Sequence, residues 1–248
     1  MQNSEILELF DRGLTVFEIS EIACITKDKV FEILQENNKT LPARDKKYRL
    51  TNTTPMTKVQ KDFIIGCLMG NGGLLIHDNG CRFTCGHLES EKPILLWKKK
   101  ILGNYVNVIV KHNKKDASFF RTSISNELNV LRKLMYDNNK KIIPKNIANY
   151  ISPISLAALA SDLAWINKTF NIRFQTTRYS YEEHQTLKSL FKNYGINVKI
   201  CEGTRGNEKF YFLSLNKRNS LLFYELIKPF YDLPLRELAP SASQRLYA

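Results

Sequence analysis

Apolar residues recur every three or four positions over the first 38 residues, and this spacing predicts three short helices. Thr15 and Glu18 have the spacing of a capping box that opens the second helix. Thr26 is the expected N-cap of the third helix. We therefore expect a small all-α unit over residues 1–38.

The order helix, turn, helix, short turn, helix resembles the helix-turn-helix of resolvase-type and sigma-like DNA-binding modules. This resemblance implies a recognition helix with Lys27 and Lys29 on its outer face as DNA contacts. The same unit holds eight acidic and three basic residues, a net charge of −5, which is unfavourable for contacts with phosphate. A small helical unit that binds a protein partner is therefore the alternative hypothesis.

Residues 39–56 are polar and basic and show no periodicity, which is typical of a linker. Lys46, Lys47 and Arg49 give this segment a positive charge. We expect these three side chains to lie along a phosphate backbone.

The pattern that follows is an internal repeat. Each half reads helix, two strands, helix, two strands, helix, with these segments in correspondence: 82–83 with 173–174, 119–123 with 210–214, and 93–102 with 182–191. The predicted strands are 73–78, 81–87, 106–112 and 118–125, then 171–179 with a partner just before it, 198–202 and 209–215. The halves, 57–142 and 143–248, predict an α+β fold in which helices cover one face of each four-stranded antiparallel sheet.

Each half opens with an apolar helix rich in small residues, 63–72 in the first and 153–164 in the second. Such helices can pack with their backbones close together. The two segments resemble the motifs of the LAGLIDADG homing-endonuclease family, and the resemblance extends over residues 57–240. It implies two pseudo-symmetric αββαββα repeats whose motif helices meet at a pseudo-twofold interface, with double-stranded DNA as the partner.

In that family the last acidic residue of each motif binds a divalent metal at the scissile phosphates, and the resemblance places Asn71 and Leu163 at these positions. Neither residue is a carboxylate, although two-metal hydrolysis needs carboxylates to hold the ions. We therefore expect no catalytic residue, no metal and no cofactor. Shifting the alignment by one residue would give Asp162 a catalytic role, and only that alternative would require Mg²⁺.

Basic and polar side chains alternate with apolar ones along the predicted strands, as in a β-ribbon that lies in the major groove. Arg82 and Arg173 are the expected readers of guanine, and Gln175 of adenine. The full set predicted on the DNA-facing surface is Arg82, Thr84, Lys111, Arg121, Ser123, Arg173, Gln175, Thr177, Lys199 and Lys209. The alternative is an ordinary solvated sheet face.

Other conspicuous residues receive a structural interpretation. The three lysines from Lys98 to Lys100 are expected to contact the DNA backbone or only solvent. Cys81, Cys85 and His87 could suggest zinc, but on one strand they should run along one face without converging, so we interpret the cysteines as core thiols. Five aromatic residues are predicted in the sheet core: Phe119, Phe120, Phe210, Tyr211 and Phe212.

The formal charge of +13 combines −5 in residues 1–38 with +18 in the remainder, which suits a polyanionic partner. Five cysteines without a framework spacing favour a reduced compartment. The sequence has neither a membrane-spanning apolar run nor a recognisable targeting segment. We expect an intracellular location, in the cytoplasm or nucleoid of a bacterium or phage-infected cell, or in an organelle matrix.

Three functions remain open. The leading hypothesis is a catalytically inactive, sequence-specific DNA-binding protein that acts as a transcriptional regulator or repressor. The second is an intron RNA maturase that binds structured RNA. The third is an active, site-specific homing endonuclease that uses Asp162.

Overall fold

The computed structural model describes residues 2–12, 14–39, 55–77, 80–112, 115–206 and 208–231. Its N-terminal part, which we call the head, consists of α1 (Asn3–Asp11), α2 (Val16–Ala23) and α3 (Lys27–Glu36). The predicted caps are present, because the Thr15 and Thr26 hydroxyls accept hydrogen bonds from backbone N–H groups three residues further on. The three helices close around their own small apolar core. The predicted all-α unit is confirmed.

Two helices, α4 (Lys58–Met69) and α7 (Pro153–Leu163), pack against each other at the centre of the body. Small residues allow their backbones to approach, since a Cβ on Gly66 would lie 2.1 Å from the backbone oxygen of Ser155. The Tyr179 hydroxyl donates a hydrogen bond to the carbonyl oxygen of Met69 (2.9 Å) and so links the second repeat to the end of α4. The expected close packing of the two motif helices is confirmed.

The first sheet has the order β1-β2-β4-β3, and every pairing in it is antiparallel. Its elements in chain order are β1 (Gly73–His77), β2 (Gly80–Leu88), α5 (Lys92–Leu102), β3 (Val106–Lys111), β4 (Ala117–Thr122) and α6 (Glu127–Met135). A short hairpin, β5 (Tyr136–Asp137) and β6 (Lys140–Lys141), leads towards α7.

The second sheet repeats this topology with the order β7-β8-β10-β9. Its elements are β7 (Ala164–Ile166), β8 (Ile172–Phe174), α8 (Tyr181–Lys192), β9 (Lys199–Arg205), β10 (Glu208–Leu215) and α9 (Lys217–Ile227). The predicted pair of αββαββα repeats is confirmed, but the strand expected over 171–179 is wrong in length. The chain turns after Phe174, where the Thr176 N–H bonds back to the Phe174 carbonyl oxygen (2.8 Å).

Helices cover one face of each sheet, and the apolar side chains that face them join α4 and α7 in one continuous core. The head contacts this body at β3, where Val108 packs against the apolar cluster of the head. Within the described ranges, no helix has both the length and the apolar character needed to cross a bilayer.

Candidate nucleic-acid interface

The free face of the first sheet carries part of the predicted set. Phe119 and Arg121 of β4 point away from the helices, because the residue between them, Phe120, is buried in the core. The guanidinium of Arg121 lies 5.0 Å from the centroid of the Phe119 ring, and Arg121 pairs in register with Thr84 of β2. Lys111 is exposed at the end of β3. Lys111 pairs in register with the buried Ser118 and so lies on the other face of the sheet, whereas Thr84 and Arg121 share the free face.

The free face of the second sheet presents a row of side chains across all four strands. Trp165 pairs with Arg173, Arg173 with Ser214, and Ser214 with Lys199. Arg173 is exposed, with its guanidinium 5.3 Å from the centroid of Trp165 and 5.7 Å from that of Phe212. Such stacking restricts the side chain and leaves its planar edge free to donate hydrogen bonds.

Several predicted positions lie elsewhere. Arg82 is only 9% exposed, because β1 pairs along one side of it and the 123–125 segment runs along the other. Ser123 is buried, and its N–H donates a hydrogen bond to the Tyr105 carbonyl oxygen (3.0 Å). Gln175 and Thr177 are exposed but follow the end of β8, so they do not share a strand face with Arg173. Lys209 is exposed and bound to Glu202 (2.8 Å).

The prediction that five aromatic residues fill the sheet core is correct only for Phe120. Strand alternation turns Phe119, Phe210 and Phe212 to the free face, and all three are half-buried there. Tyr211 faces α8, where its ring packs against Tyr181. The alternation therefore adds aromatic surface to the same face that carries Arg121 and Arg173.

The head borders the free face of the first sheet. A cavity of about 690 Å³ lies between them, and Phe17 and Glu21 of α2 line it opposite Lys111 and Arg121. Lys27 is exposed at the start of α3 with its ammonium 4.8 Å from the centroid of the Phe17 ring, and exposed Lys29 is paired with Glu32 (2.7 Å). The predicted linker contacts Lys46, Lys47 and Arg49 lie outside the described residues.

Asp162, at the end of α7, faces Asn71, just after α4. The backbone N–H of Asn71 donates to Asp162 Oδ2 (3.0 Å), and the Asn71 amide donates to the Asp162 carbonyl oxygen (3.4 Å). A Cβ on Gly70 would lie 2.3 Å from Asp162 Oδ2, so only glycine leaves room for this carboxylate. Leu163 is buried in the apolar core. The structure thus puts Asp162, and not Leu163, opposite Asn71.

Asp162 also belongs to a buried polar cluster with Cys85, His87, Glu91 and Lys98. The Lys98 ammonium bonds to Asp162 Oδ1 and lies 3.4 Å from Cys85 Sγ. The two nitrogens of the His87 ring lie 3.1 Å from Asp162 Oδ1 and 3.2 Å from Glu91 Oε2. Lys98 and Asp162 are completely or almost completely buried. The expectation that Lys98 contacts DNA backbone or solvent is wrong, because the residue faces the core from α5.

The two cations of the buried polar cluster hold Asp162 in its ionised form. Burial acts to raise the pKa of Asp162, but the Lys98 ammonium and then His87 outweigh it and lower that pKa below its ordinary value. Burial acts to lower the pKa of Lys98, but the attraction of Asp162 outweighs burial, so this pKa lies above its ordinary value. For His87, burial and Lys98 act downwards, but bonds to Asp162, Cys85 and Glu91 raise its pKa to about 10. The carboxylate is therefore neutralised by the protein's own side chains.

Comparison with known proteins identifies the family. The sequence profile of the LAGLIDADG DNA endonuclease family matches residues 61–223, well over half of the chain. The chain belongs to the LAGLIDADG DNA endonuclease family. The DNA endonuclease I-ChuI of Chlamydomonas applanata is 25% identical over 199 residues, which cover 71% of this chain and 91% of that protein.

Two further matches place this LAGLIDADG chain among its relatives. The cytochrome b mRNA maturase bI2 of Saccharomyces cerevisiae is 30% identical over 94 residues, 37% of this chain but only 22% of that protein. The solved structure of the homing endonuclease I-WcaI bound to its DNA recognition sequence superposes with a TM-score of 0.62 at 18% identity, covering 85% of this chain and 94% of the other. This likeness confirms the expected LAGLIDADG fold.

The LAGLIDADG family implies a divalent metal at the ends of the two motif helices, but the residues present here do not fit Mg²⁺. That ion takes an octahedron of oxygen ligands. Asn71 offers a neutral amide, and Asp162 is engaged by Lys98 and His87. Among the described residues, the three donors that converge are Cys85, His87 and Asp162, with ligand atoms within 4.8 Å of one another. Sulfur and imidazole are poor ligands for a hard cation.

The sequence interpretation missed the buried polar cluster of this LAGLIDADG chain, although its pattern contains a signal for Lys98. Lys98 stands four residues after Ile94 and four before Leu102, both of which are buried, so helical spacing puts it on the apolar side of α5. The expectation that Cys85 and His87 do not converge considered their own strand alone. Their common neighbour, Asp162, comes from the other repeat.

Proposed function

We propose that this LAGLIDADG chain binds a specific site in double-stranded DNA without cutting it. The observation that carries the proposal is the state of the two helix ends: Asn71 lacks a carboxylate, and Asp162 is neutralised by Lys98 and His87. Two-metal phosphodiester hydrolysis needs carboxylates that are free to hold hard cations. Within the described part of the chain, the two helix ends therefore offer no such pair of free carboxylates.

The free faces of the two sheets are the proposed DNA-binding surface. They combine strand-borne cations such as Arg121, Arg173 and Lys199 with aromatic and hydroxyl side chains, the chemistry of groove recognition by β-ribbons. With binding as the retained activity, the simplest output is occupation of a promoter by a regulator or repressor. The head would add DNA contacts through Lys27 and Lys29, or recruit a protein partner through its acidic surface.

A second candidate function is supported by a separate observation. A segment of 94 residues, 37% of this chain, is 30% identical to the yeast cytochrome b mRNA maturase bI2. In that case the ligand would be structured intron RNA, and the basic charge of the body would serve RNA phosphates instead of duplex DNA. The site of action would then be an organelle, whereas a DNA-binding regulator could also act in a bacterial cytoplasm.

The test is a selection of bound duplexes from a random DNA library, with structured RNA as competitor, followed by incubation of the selected duplex with Mg²⁺ or Mn²⁺. The proposal expects one enriched site, little competition by RNA, and an intact duplex. Enrichment of RNA over every duplex would favour the maturase. Cleavage by the purified protein that Asp162→Asn abolishes would establish the endonuclease.

A further inference from the structure

Cys85, His87 and Asp162 form a converging set of metal-type donors inside the protein. A thiol sulfur, an imidazole nitrogen and a carboxylate oxygen lie within 4.8 Å of one another, and all three residues are buried. Around a tetrahedral Zn²⁺, with bonds of about 2.0–2.3 Å, such donors would lie about 3.3–3.8 Å apart, so a modest approach of these three atoms would suffice. Sulfur, nitrogen and carboxylate ligands suit Zn²⁺ or Co²⁺ and not Mg²⁺.

A cation already occupies this donor set. The Lys98 ammonium bonds to Asp162 Oδ1 and lies 3.4 Å from Cys85 Sγ, and the lysine side chain is completely buried. An ammonium that contacts two of three converging donors takes the place in which a metal ion would balance the Asp162 charge. We propose that Lys98 is a built-in substitute for a metal ion, and that the site beneath it is specific for Zn²⁺-like cations.

The second repeat supports this inference independently. When segment 93–102 is aligned with segment 182–191, Leu187 takes the position of Lys98. Both residues are buried on their helices. Asp162 of the second repeat forms an ion pair with Lys98 of the first. Asn71 is the first repeat's counterpart of Asp162, and Leu187 is the second repeat's counterpart of Lys98. Carboxylate and lysine are thus present together on one side of the pseudo-twofold axis and absent together on the other. This is the expected pattern if the lysine serves the buried carboxylate.

Other uses of Lys98 do not fit the same observations. A lysine that contacts phosphate must reach solvent, and Lys98 has no exposed surface. A side chain that merely fills this space would be apolar, as Leu187 is at the equivalent position, because burying an ammonium costs free energy even when it is paired. The Lys98 ammonium therefore neutralises Asp162 and also occupies the space beside the donor atoms of Cys85 and Asp162.

The test is the variant Lys98→Met, which keeps the unbranched side chain and removes the charge. Lys100→Met is the matched control, because Lys100 is exposed on the same helix. Both variants and the wild-type protein would be titrated with Co²⁺ without DNA and followed by absorption spectroscopy. We expect Lys98→Met to bind one Co²⁺ at least about a hundredfold more tightly than the other two, the scale of leaving one buried charge without its partner. A sulfur-to-cobalt charge-transfer band should appear, and Cys85→Ser in the same background should remove it.

Two results would overturn the proposal. One is a folded Lys98→Met protein that shows no charge-transfer band at any Co²⁺ concentration. The other is a wild-type protein that binds Co²⁺ through Cys85 as tightly as the variant does. If Lys98→Met does not fold alone, refolding decides the question: Zn²⁺ should restore the circular dichroism of the wild type and Mg²⁺ should not. Failure of both ions to restore it would refute the substitution of a metal by Lys98.

Discussion

The two repeats share one topology but differ in the polar side chains that are buried beneath the interface of the two motif helices. In the first repeat, the helix and strand beneath the interface supply Lys98 and His87, which balance the Asp162 carboxylate. In the second, Leu187 stands at the position of Lys98, and the buried polar groups are neutral: Thr176 Oγ1 and His184 Nε2 lie 2.8 Å apart. The fold therefore accepts either a charged or a neutral set of polar groups at this position, and the charged set contains its own counter-charges.

The largest expected effect concerns this asymmetry. Lys98→Met should lower the free energy of unfolding by about 3–5 kcal/mol, because it leaves the Asp162 carboxylate without its main partner. Leu187→Met, the matched change in the second repeat, should cost less than about 1.5 kcal/mol, since it conserves apolar volume. Urea unfolding measures both. Adding Asp162→Asn to Lys98→Met should recover part of the loss, and equal losses in the two single variants would contradict the comparison.

The two buried histidines should respond to pH in opposite directions. The folded-state pKa of His87 is raised to about 10, so its contribution is complete below about pH 6.5 and is lost as the pH rises towards 10. The pKa of His184 is lowered, mainly by burial, so its contribution is complete above about pH 6.5 and is lost as the pH falls through the lower folded-state pKa. The measurement is the unfolding free energy from pH 5 to 10 for wild type, His87→Gln and His184→Gln. His87→Gln should remove the loss of stability at alkaline pH. If stability still falls by the same amount between pH 6.5 and 10, the raised pKa of His87 is not its cause.

Arg82 and Arg173 occupy equivalent positions in the two repeats, but their replacement by alanine should have different consequences. Arg173→Ala should weaken binding of the selected duplex by about 1–3 kcal/mol and relax preference at one base pair, because the exposed guanidinium is held by Trp165 and Phe212. Arg82→Ala should reduce stability more than DNA affinity, since only 9% of Arg82 is exposed. Binding titrations against single-base variants of the site, together with urea unfolding, distinguish the two outcomes. If Arg82→Ala lost affinity at one base pair without losing stability, the structural role assigned to Arg82 would be wrong.

The smallest expected effect concerns the head. A fragment that begins near Pro42 should keep most of its DNA affinity, because the positive charge lies in the body. Its slope of log affinity against log salt should fall by no more than about 2, the share of the head lysines Lys27 and Lys29. Footprinting shows whether one end of the protected site shortens, which indicates DNA contact, or stays unchanged, which indicates a protein contact. Loss of nearly all affinity would contradict the assignment of the body as the main binding surface.

The sequence was sufficient for the features that rest on local periodicity. The head helices, their caps at Thr15 and Thr26, the motif helices and the alternation around Phe83 and Phe120 could all be predicted. Strand ends were less predictable, because the turn after Phe174 depends on backbone hydrogen bonds that no residue type there requires. Helical spacing could have predicted that Lys98 is buried, but the rest of the buried polar cluster could not be predicted, because it joins residues of one repeat to Asp162 of the other.

We propose above that the protein binds its duplex and leaves it intact. The most direct test of this proposal is a single-turnover cleavage assay on the selected duplex at saturating protein, with Mg²⁺ or Mn²⁺ added and with occupancy followed in parallel by gel shift. We predict full occupancy with both strands intact, and the same affinity after a chelator has removed all divalent metal. Metal-dependent cleavage of either strand by the wild-type protein, lost in Asp162→Asn, would contradict the proposed function of binding without cleavage.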